Sequence, residues 1–543
     1  MRRLLVLPGL LLAAAASHAQ DYDEAMRLYK EWIRRPAFSK RQLARERLAD
    51  TEDTRAMHIL MATYAKPEAP KEQVRTLVVN LVAEVFGEAE QQAQFAPWRE
   101  KHDRREDAWL WYQTLRASYE RDAGAAAEAV ARSGGEPFLR AAALEALRMW
   151  RHPALPALVV ELAPKLPTDP MDRAVLLESL TAALCAVDRK PGDAAMQEPM
   201  EALFLAMEHA STPERTRMVM ARHFVQFFKV KFPWLEAGKW REELEFAQRG
   251  GKVVVDERYG RRPTFAGIEA TGDRVCYVID LSDSMLEPLE QGEIEKLPKG
   301  PVSGSAQARQ REKEAKSAAW RKAFEQVKWS DVKNRFDAAR ELLKTSLLLL
   351  EEDQYYAVIA FGDEAKPLRS TRGLTKATAG NVRKTISELD SIRPGPKRDD
   401  RPHGVLMGKT NLHGGLLLAF RMAGRGDVGE GEYVDLKTFK DGCDTVFVLS
   451  DGDPTWDNWP ATDRKDLEDQ AGDPETGARH ADSDTLNFPG PFERGYHLVS
   501  DLRRLNLFRK AEIHAVGMGE ANMDLLERIA RAGNGQSISL RRQ

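Results

Sequence analysis

RVCYVIDLSDSM, Arg274 to Met285, is the stretch on which the fold turns. Val275 to Ile279 form an unbroken apolar run bounded by charge, short enough for a strand buried on both faces. The run ends in Asp280, Ser282 and Ser284, small oxygen-bearing side chains at alternate positions. In an open α/β sheet, the loop past a strand's carboxyl end is where ligands bind. One carboxylate and two hydroxyls there suit a hard divalent cation such as Mg²⁺, which takes about six oxygens at about 2.1 Å and keeps some waters.

From residue 274 onward, strand patterns alternate with helix patterns, which predicts a parallel sheet with crossover helices. The strands are expected at 274–280, 354–362, 444–450, 511–517 and 536–540. The main helices are expected at 335–352, 375–389, 412–423, 496–509 and 522–532.

The Asp-x-Ser-x-Ser loop after a buried strand resembles the metal-ion-dependent adhesion site of von Willebrand factor A domains, and the likeness covers about 260 to 543. It implies a doubly wound, mostly parallel, Rossmann-like α/β sheet. The family takes a Thr from a second loop, where GKTNLHGGLLLAF offers Thr410 just ahead of a helix. It takes an Asp from the end of a third strand, where TVFVLSDGDPT offers Asp451. The implied metal ligands are therefore Asp280, Ser282, Ser284, Thr410 and Asp451, the hydroxyls coordinating directly and the aspartates largely through water. Mg²⁺ is the expected ion, with Mn²⁺ or Ca²⁺ as alternatives. The family usually has Gly where Asp283 stands, so this loop carries an extra charge.

The remainder of the chain is of other kinds. Arg2 and Arg3 precede an apolar run, Leu4 to Ala16, and Ser17-His18-Ala19 supplies the small residues of a cleavage site. Residues 1–19 are expected to be a signal peptide, giving an exported protein, periplasmic or secreted. No later stretch is apolar and long enough to predict a transmembrane segment. The formal net charge of −3 does not point to nucleic acid as a partner. Three cysteines, Cys185, Cys276 and Cys443, are too few for a disulfide framework and are expected as thiols.

Residues 21–248 are helical in pattern throughout, rich in Ala, Leu, Glu and Arg. A loose echo recurs: EPFLRAAALEAL at 136, DPMDRAVLLESL at 169, TPERTRMVMARHF at 212, and a weaker copy, KEQVRTLVVNLV, at 71. The unit resembles HEAT repeats, which predicts an all-α solenoid with an extended surface for protein partners. Its aromatics, Trp98, Trp109, Trp111, Tyr112 and Trp150, fall at helical spacing and are expected in the core. Gly250-Gly251 ends this region, and 249–273 is expected to link it to the domain at 274–543.

Three insertions, at 287–333, 393–408 and 452–493, interrupt that domain near the expected metal face. The second, RPGPKRDDRPHGVLMG, is Pro-rich, basic and expected to be mobile. The third carries eleven acidic residues against three basic ones. Its Asp453 and Asp457 are expected to meet Lys397, Arg398 and Arg401 rather than turn back onto the metal.

Two functions follow from these expectations. The first is an exported binding or scaffold protein whose ion recruits an Asp or Glu from a protein partner, with the helical repeats as a second interaction surface. The second is a metal-dependent hydrolase using the same ion as a Lewis acid, which needs a general base; Asp283, His413 and Asp453 are the candidates. The likeness favours binding over catalysis.

Overall fold

The computed structural model describes residues 22–35, 37–118, 123–230, 233–249, 264–298, 318–429, 436–458 and 490–540. The expected signal peptide, most of the expected linker and parts of the first and third insertions lie outside the described residues. The chain divides into two compact units, the first closing at Trp150 and the second opening at Arg151.

The first unit holds α1 (Phe38–Ala49), α2 (Thr54–Ala65), α3 (Lys71–Val85), α4 (Ala108–Ala117), α5 (Ala123–Arg132) and α6 (Pro137–Met149). Successive helices from α1 to α4 pack on one another, and α6 packs on α4 and α5. Of the aromatics expected in the core, Trp98, Trp109 and Tyr112 are buried, while Trp111 and Trp150 are half-buried. Trp109 keeps its ring N–H satisfied by donating to Asn80 Oδ1 at 2.9 Å.

The second unit begins with α7 (Leu155–Leu162), α8 (Pro170–Leu184), α9 (Gln197–Glu208), α10 (Glu214–Phe228) and α11 (Ala237–Gln248). The acidic-Pro turns of the sequence echo start helices in both units. At α8 the Asp169 carboxylate accepts the N–H groups of Met171 and Asp172, with Pro170 in the first turn where its missing N–H costs nothing. The change of composition at Gly250-Gly251 therefore does not coincide with the division into compact units; α7 to α11 share theirs with the sheet.

Arg222 of α10 shows why. Its guanidinium donates to Thr271 Oγ1 at 2.5 Å and to the Asp444 carbonyl at 3.0 Å, and lies 3.5 Å from the Asp444 carboxylate. Gly272 makes this approach feasible, because a Cβ there would overlap both Arg222 and Asp444. Glu512 closes the cluster by accepting from the Thr271 N–H and hydroxyl. All of these groups lie at the amino ends of the sheet strands.

The sheet consists of β1 (Arg274–Asp280), β2 (Tyr355–Phe361), β3 (Ala365–Pro367), β4 (Thr375–Lys376), β5 (Thr445–Ser450), β6 (Glu512–Gly517) and β7 (Asn534–Ser539). The order is β7-β6-β5-β1-β2-β3, with β4 also paired to β2. The pairs from β7 across to β2 are parallel, while β3 and β4 run antiparallel to β2. Five helices cover it: α12 (Arg335–Leu349), α13 (Ala379–Asp390), α14 (Leu412–Arg421), α15 (Gly495–Arg509) and α16 (Met523–Ala532).

β1 is buried on both faces, as its unbroken apolar run requires. Val275, Tyr277 and Ile279 join a core with Phe336, Leu343 and Ile386 of α12 and α13. Cys276 and Val278 join the opposite core with Leu416, Leu502 and Ile529 of α14, α15 and α16. Cys276 and Cys443 are free thiols, and Cys443 donates to the Ala419 carbonyl at 3.2 Å.

The expected strands and helices all form, with shifted ends. The helix expected at 375–389 starts at Ala379, because Thr375–Lys376 pairs with β2 and Thr378 caps by accepting from Asn381 N–H. The helix expected at 412–423 stops at Arg421, because Met422–Ala423 pairs with Gly426–Asp427. Among the described residues, no helix is long and apolar enough to cross a membrane.

Removing one partner of a buried ion pair strands the other charge. Arg222→Met should therefore lower the unfolding free energy of the full chain by roughly 3 kcal/mol in chemical denaturation. A loss below about 1 kcal/mol would show that the Arg222 cluster is not what holds α10 to the sheet, leaving packing and the contacts of Arg215 and Gln226 to do so.

Candidate metal centre

Chain direction across the sheet reverses between β1 and β5: β1 leads to β2 on one side, while β5 leads to β6 and β7 on the other. A crevice opens at such a switch point, outside the carboxyl ends of the two strands. In the β1–β5 register Ile279 lies opposite Leu449, which sets Asp280 at the level of Ser450. The Ser450 hydroxyl donates to Asp280 Oδ2 at 2.6 Å. Asp451, the next residue, follows at the mouth of the crevice.

The loop after β1 turns through a short 3₁₀ segment, Asp283–Leu286. Its opening is fixed by the Ser282 N–H, which donates to Asp280 Oδ1 at 2.8 Å. The Ser282 and Ser284 hydroxyl oxygens lie 3.0 Å apart, and Ser284 donates to Asp451 Oδ1 at 2.8 Å. Ser282, Ser284 and Asp451 thus form one continuous chain of oxygens, with Asp280 at its base. Asp280, Ser282 and Asp451 are buried, and Ser284 is half-buried.

Thr410 is buried on a neighbouring loop. One backbone bond ties that loop to the first, Asp283 N–H donating to the Gly408 carbonyl at 3.3 Å, and another ties it to the loop after β2, Asn411 N–H donating to the Gly362 carbonyl at 2.7 Å. Thr410 is also tied to the loop beyond Asp451, its N–H donating to Thr455 Oγ1 at 3.1 Å while Thr455 N–H donates to its carbonyl at 3.1 Å. All five expected residues thus lie on three loops that touch one another.

The electrostatics set this cluster apart from an ordinary turn. Burial, reinforced by the adjacent Asp451 carboxylate, pushes the Asp280 carboxyl up to about 7 against the hydrogen bonds from Ser450 and Ser282. Asp451 has a cationic neighbour, Arg335 Nη1, which donates to Oδ2 at 2.9 Å. Two buried carboxylates with hydroxyls beside them are hard oxygen donors, the set that suits Mg²⁺ or Mn²⁺. Among the described residues, no group of three or more His, Cys, Asp or Glu is placed to hold a metal ion, so the candidate centre rests on two carboxylates and hydroxyls.

Asp283 takes a role of its own. Arg401 Nη1 donates to its Oδ1 at 2.8 Å, and Gly408 lies so close that a Cβ there would sit 2.1 Å from Oδ2. The second insertion, expected to be mobile, is instead bonded to the site: Gly395 N–H donates to the Leu281 carbonyl at 3.0 Å and Val405 N–H to the Gly395 carbonyl at 3.0 Å. The expected pairing of Asp453 and Asp457 with that insertion gives way to other partners. Asp453 accepts from Asn522 Nδ2 at 2.6 Å, and Asp457 from Phe492 N–H at 3.1 Å. His413 packs away from the oxygens, its Nε2 2.8 Å from Asp501 Oδ2 and its ring stacked on Phe492 at 3.9 Å.

Sequence reasoning missed Ser450 and Arg335. Ser450 was visible as the last residue of a strand, yet its role depends on the β1–β5 register. Arg335 opens α12 beyond a long insertion, and no spacing rule links it to Asp451.

A carboxyl whose folded pKa is raised binds its proton more tightly folded than unfolded. In metal-free protein its contribution is favourable below the unfolded value and is lost as pH rises from about 4 to about 7. In EDTA, Asp280→Asn should remove this decline and gain stability over wild type of the order of 3 kcal/mol between pH 4.5 and 7.5. Parallel stability–pH curves for the two proteins would contradict the assignment.

No model of a known protein family matches the chain, and no curated protein matches it, so its own atoms are what bears on the chemistry of the site.

Proposed function

We propose that the chain is an exported metal-dependent binding or scaffold protein built on a von Willebrand factor A-type domain. Asp280, Ser282, Ser284, Thr410 and Asp451 would hold one Mg²⁺ or Mn²⁺ ion, and an Asp or Glu of a protein partner would complete its sphere. The observation that carries this reading is the oxygen chain Ser282–Ser284–Asp451 over buried Asp280 at the switch point of a parallel sheet. An ion bound there supplies a hard Lewis-acidic centre. An acidic side chain would gain from it a charge-assisted contact that a neutral group could not replace.

The protein's own groups support binding over hydrolysis. The three candidate general bases turn to partners within the chain: Asp283 to Arg401, His413 to Asp501, and Asp453 to Asn522. Val405 and Met407 stand exposed on the loop beside the site and offer apolar contact to an incoming chain. The helices before the sheet, read as HEAT-like repeats, would present a second surface, and residues 1–19, read as a signal peptide, would account for export.

Calorimetry on the full chain tests the ligand set. Wild type should bind one Mg²⁺ per chain, and Asp451→Ala should lose that binding while its far-ultraviolet circular dichroism stays helical. An Asp451→Ala variant with unchanged Mg²⁺ affinity would overturn the assignment.

A further inference from the structure

Arg335 is the first residue of α12 and packs against the candidate centre. Its Nη1 donates to Asp451 Oδ2 at 2.9 Å, and its Nη2 lies 2.5 Å from Glu287 Oε2. Its side chain is only 11% exposed, and the Asp451 side chain is fully buried. The backbone holds it from behind, Arg335 N–H donating to the Glu287 carbonyl at 3.1 Å. On the other side stands Gly519, at φ +54°, where a Cβ would lie 2.4 Å from the guanidinium carbon. Any side chain at 519 would therefore displace the guanidinium, so the chain leaves this space open for Arg335.

The guanidinium takes one carboxylate oxygen of Asp451 and the Ser284 hydroxyl takes the other. Both oxygens are thereby satisfied without a bound ion. A plain divalent site has no need of such a group, because a cation nearby repels the metal and competes for the same carboxylate. Two adjacent buried carboxylates with no counter-charge, however, would strain the fold until an ion arrived.

We propose that Arg335 is the resident counter-cation of the site, neutralising Asp451 when no metal is bound and lowering the affinity of the ion that competes with it. This rests on the metal reading above and adds its regulation: the centre stays assembled when empty, and it fills only when free divalent ion is abundant. Ser284 and the register of β5 keep Asp451 oriented without Arg335, so charge, not positioning, is what its removal changes.

The test uses the full chain with Arg335→Met, which keeps an unbranched side chain without charge, and Arg335→Lys, which keeps the charge. Two readouts are taken: Mg²⁺ affinity by calorimetry, and the melting temperature in EDTA. Arg335→Met should bind Mg²⁺ at least tenfold more tightly than wild type and melt at lower temperature in EDTA, while Arg335→Lys should stay near wild type in both. Equal or weaker Mg²⁺ binding by folded Arg335→Met would overturn the proposal and make Arg335 an orienting group. If no protein, wild type included, binds Mg²⁺, the metal reading itself fails, and the EDTA melts decide the counter-cation. A fall in Arg335→Met that Arg335→Lys restores keeps it; equal melts in EDTA, or a fall shared by Arg335→Lys, reject it.

Discussion

The parallel pairing of β1 with β5 is the constraint on which the rest of this unit depends. Both strands are central and buried on both faces, so their register cannot slip without moving apolar side chains from one core to the other. That register sets Asp280 beside Ser450 and places Asp451 at the same mouth. The cost is two carboxylates held close together out of water, which raises the Asp280 carboxyl and calls for a positive charge. Ser282, Ser284 and Arg335 are arranged around that demand, and so are the glycines that let loops and guanidinium approach closely.

The candidate centre and the attachment of α10 occupy opposite ends of the same strands. At the carboxyl ends lie the oxygens and the loops carrying Thr410, Asp283 and Arg401. At the amino ends Arg222, Asp444, Thr271 and Glu512 bind α10 to the sheet. Surface ion pairs contribute little to stability, but this cluster is largely screened from solvent and shares its donors with backbone carbonyls. The crevice is therefore free of the contacts that hold α10 in place.

Much of this was legible in the sequence where the pattern is local. Val275 to Ile279 could hardly be anything but a doubly buried strand, and alternation from 274 onward gave the parallel order of elements. Ends were less legible, because they depend on pairings that no window contains: Thr375–Lys376 joins β2 instead of α13, and Met422–Ala423 pairs instead of extending α14. Asp280, Ser282 and Ser284 could be singled out by alternation beside a strand end, while Thr410 and Asp451 came from a family likeness. Arg335 could not be found either way, since its closeness to Asp451 is a tertiary fact. The same holds for Asp283, whose extra charge is answered by Arg401 from an insertion that composition alone made look mobile.

The central claim is that the oxygens around Asp280 and Asp451 hold a hard divalent ion. The most direct measurement is an anomalous difference map from crystals of the full chain soaked in Mn²⁺. The account predicts one strong peak per chain within coordination distance of the Ser282 and Ser284 hydroxyls, with Asp280, Thr410 and Asp451 around it. A map with no peak there, or with its strongest peak bound elsewhere on the chain, would contradict it.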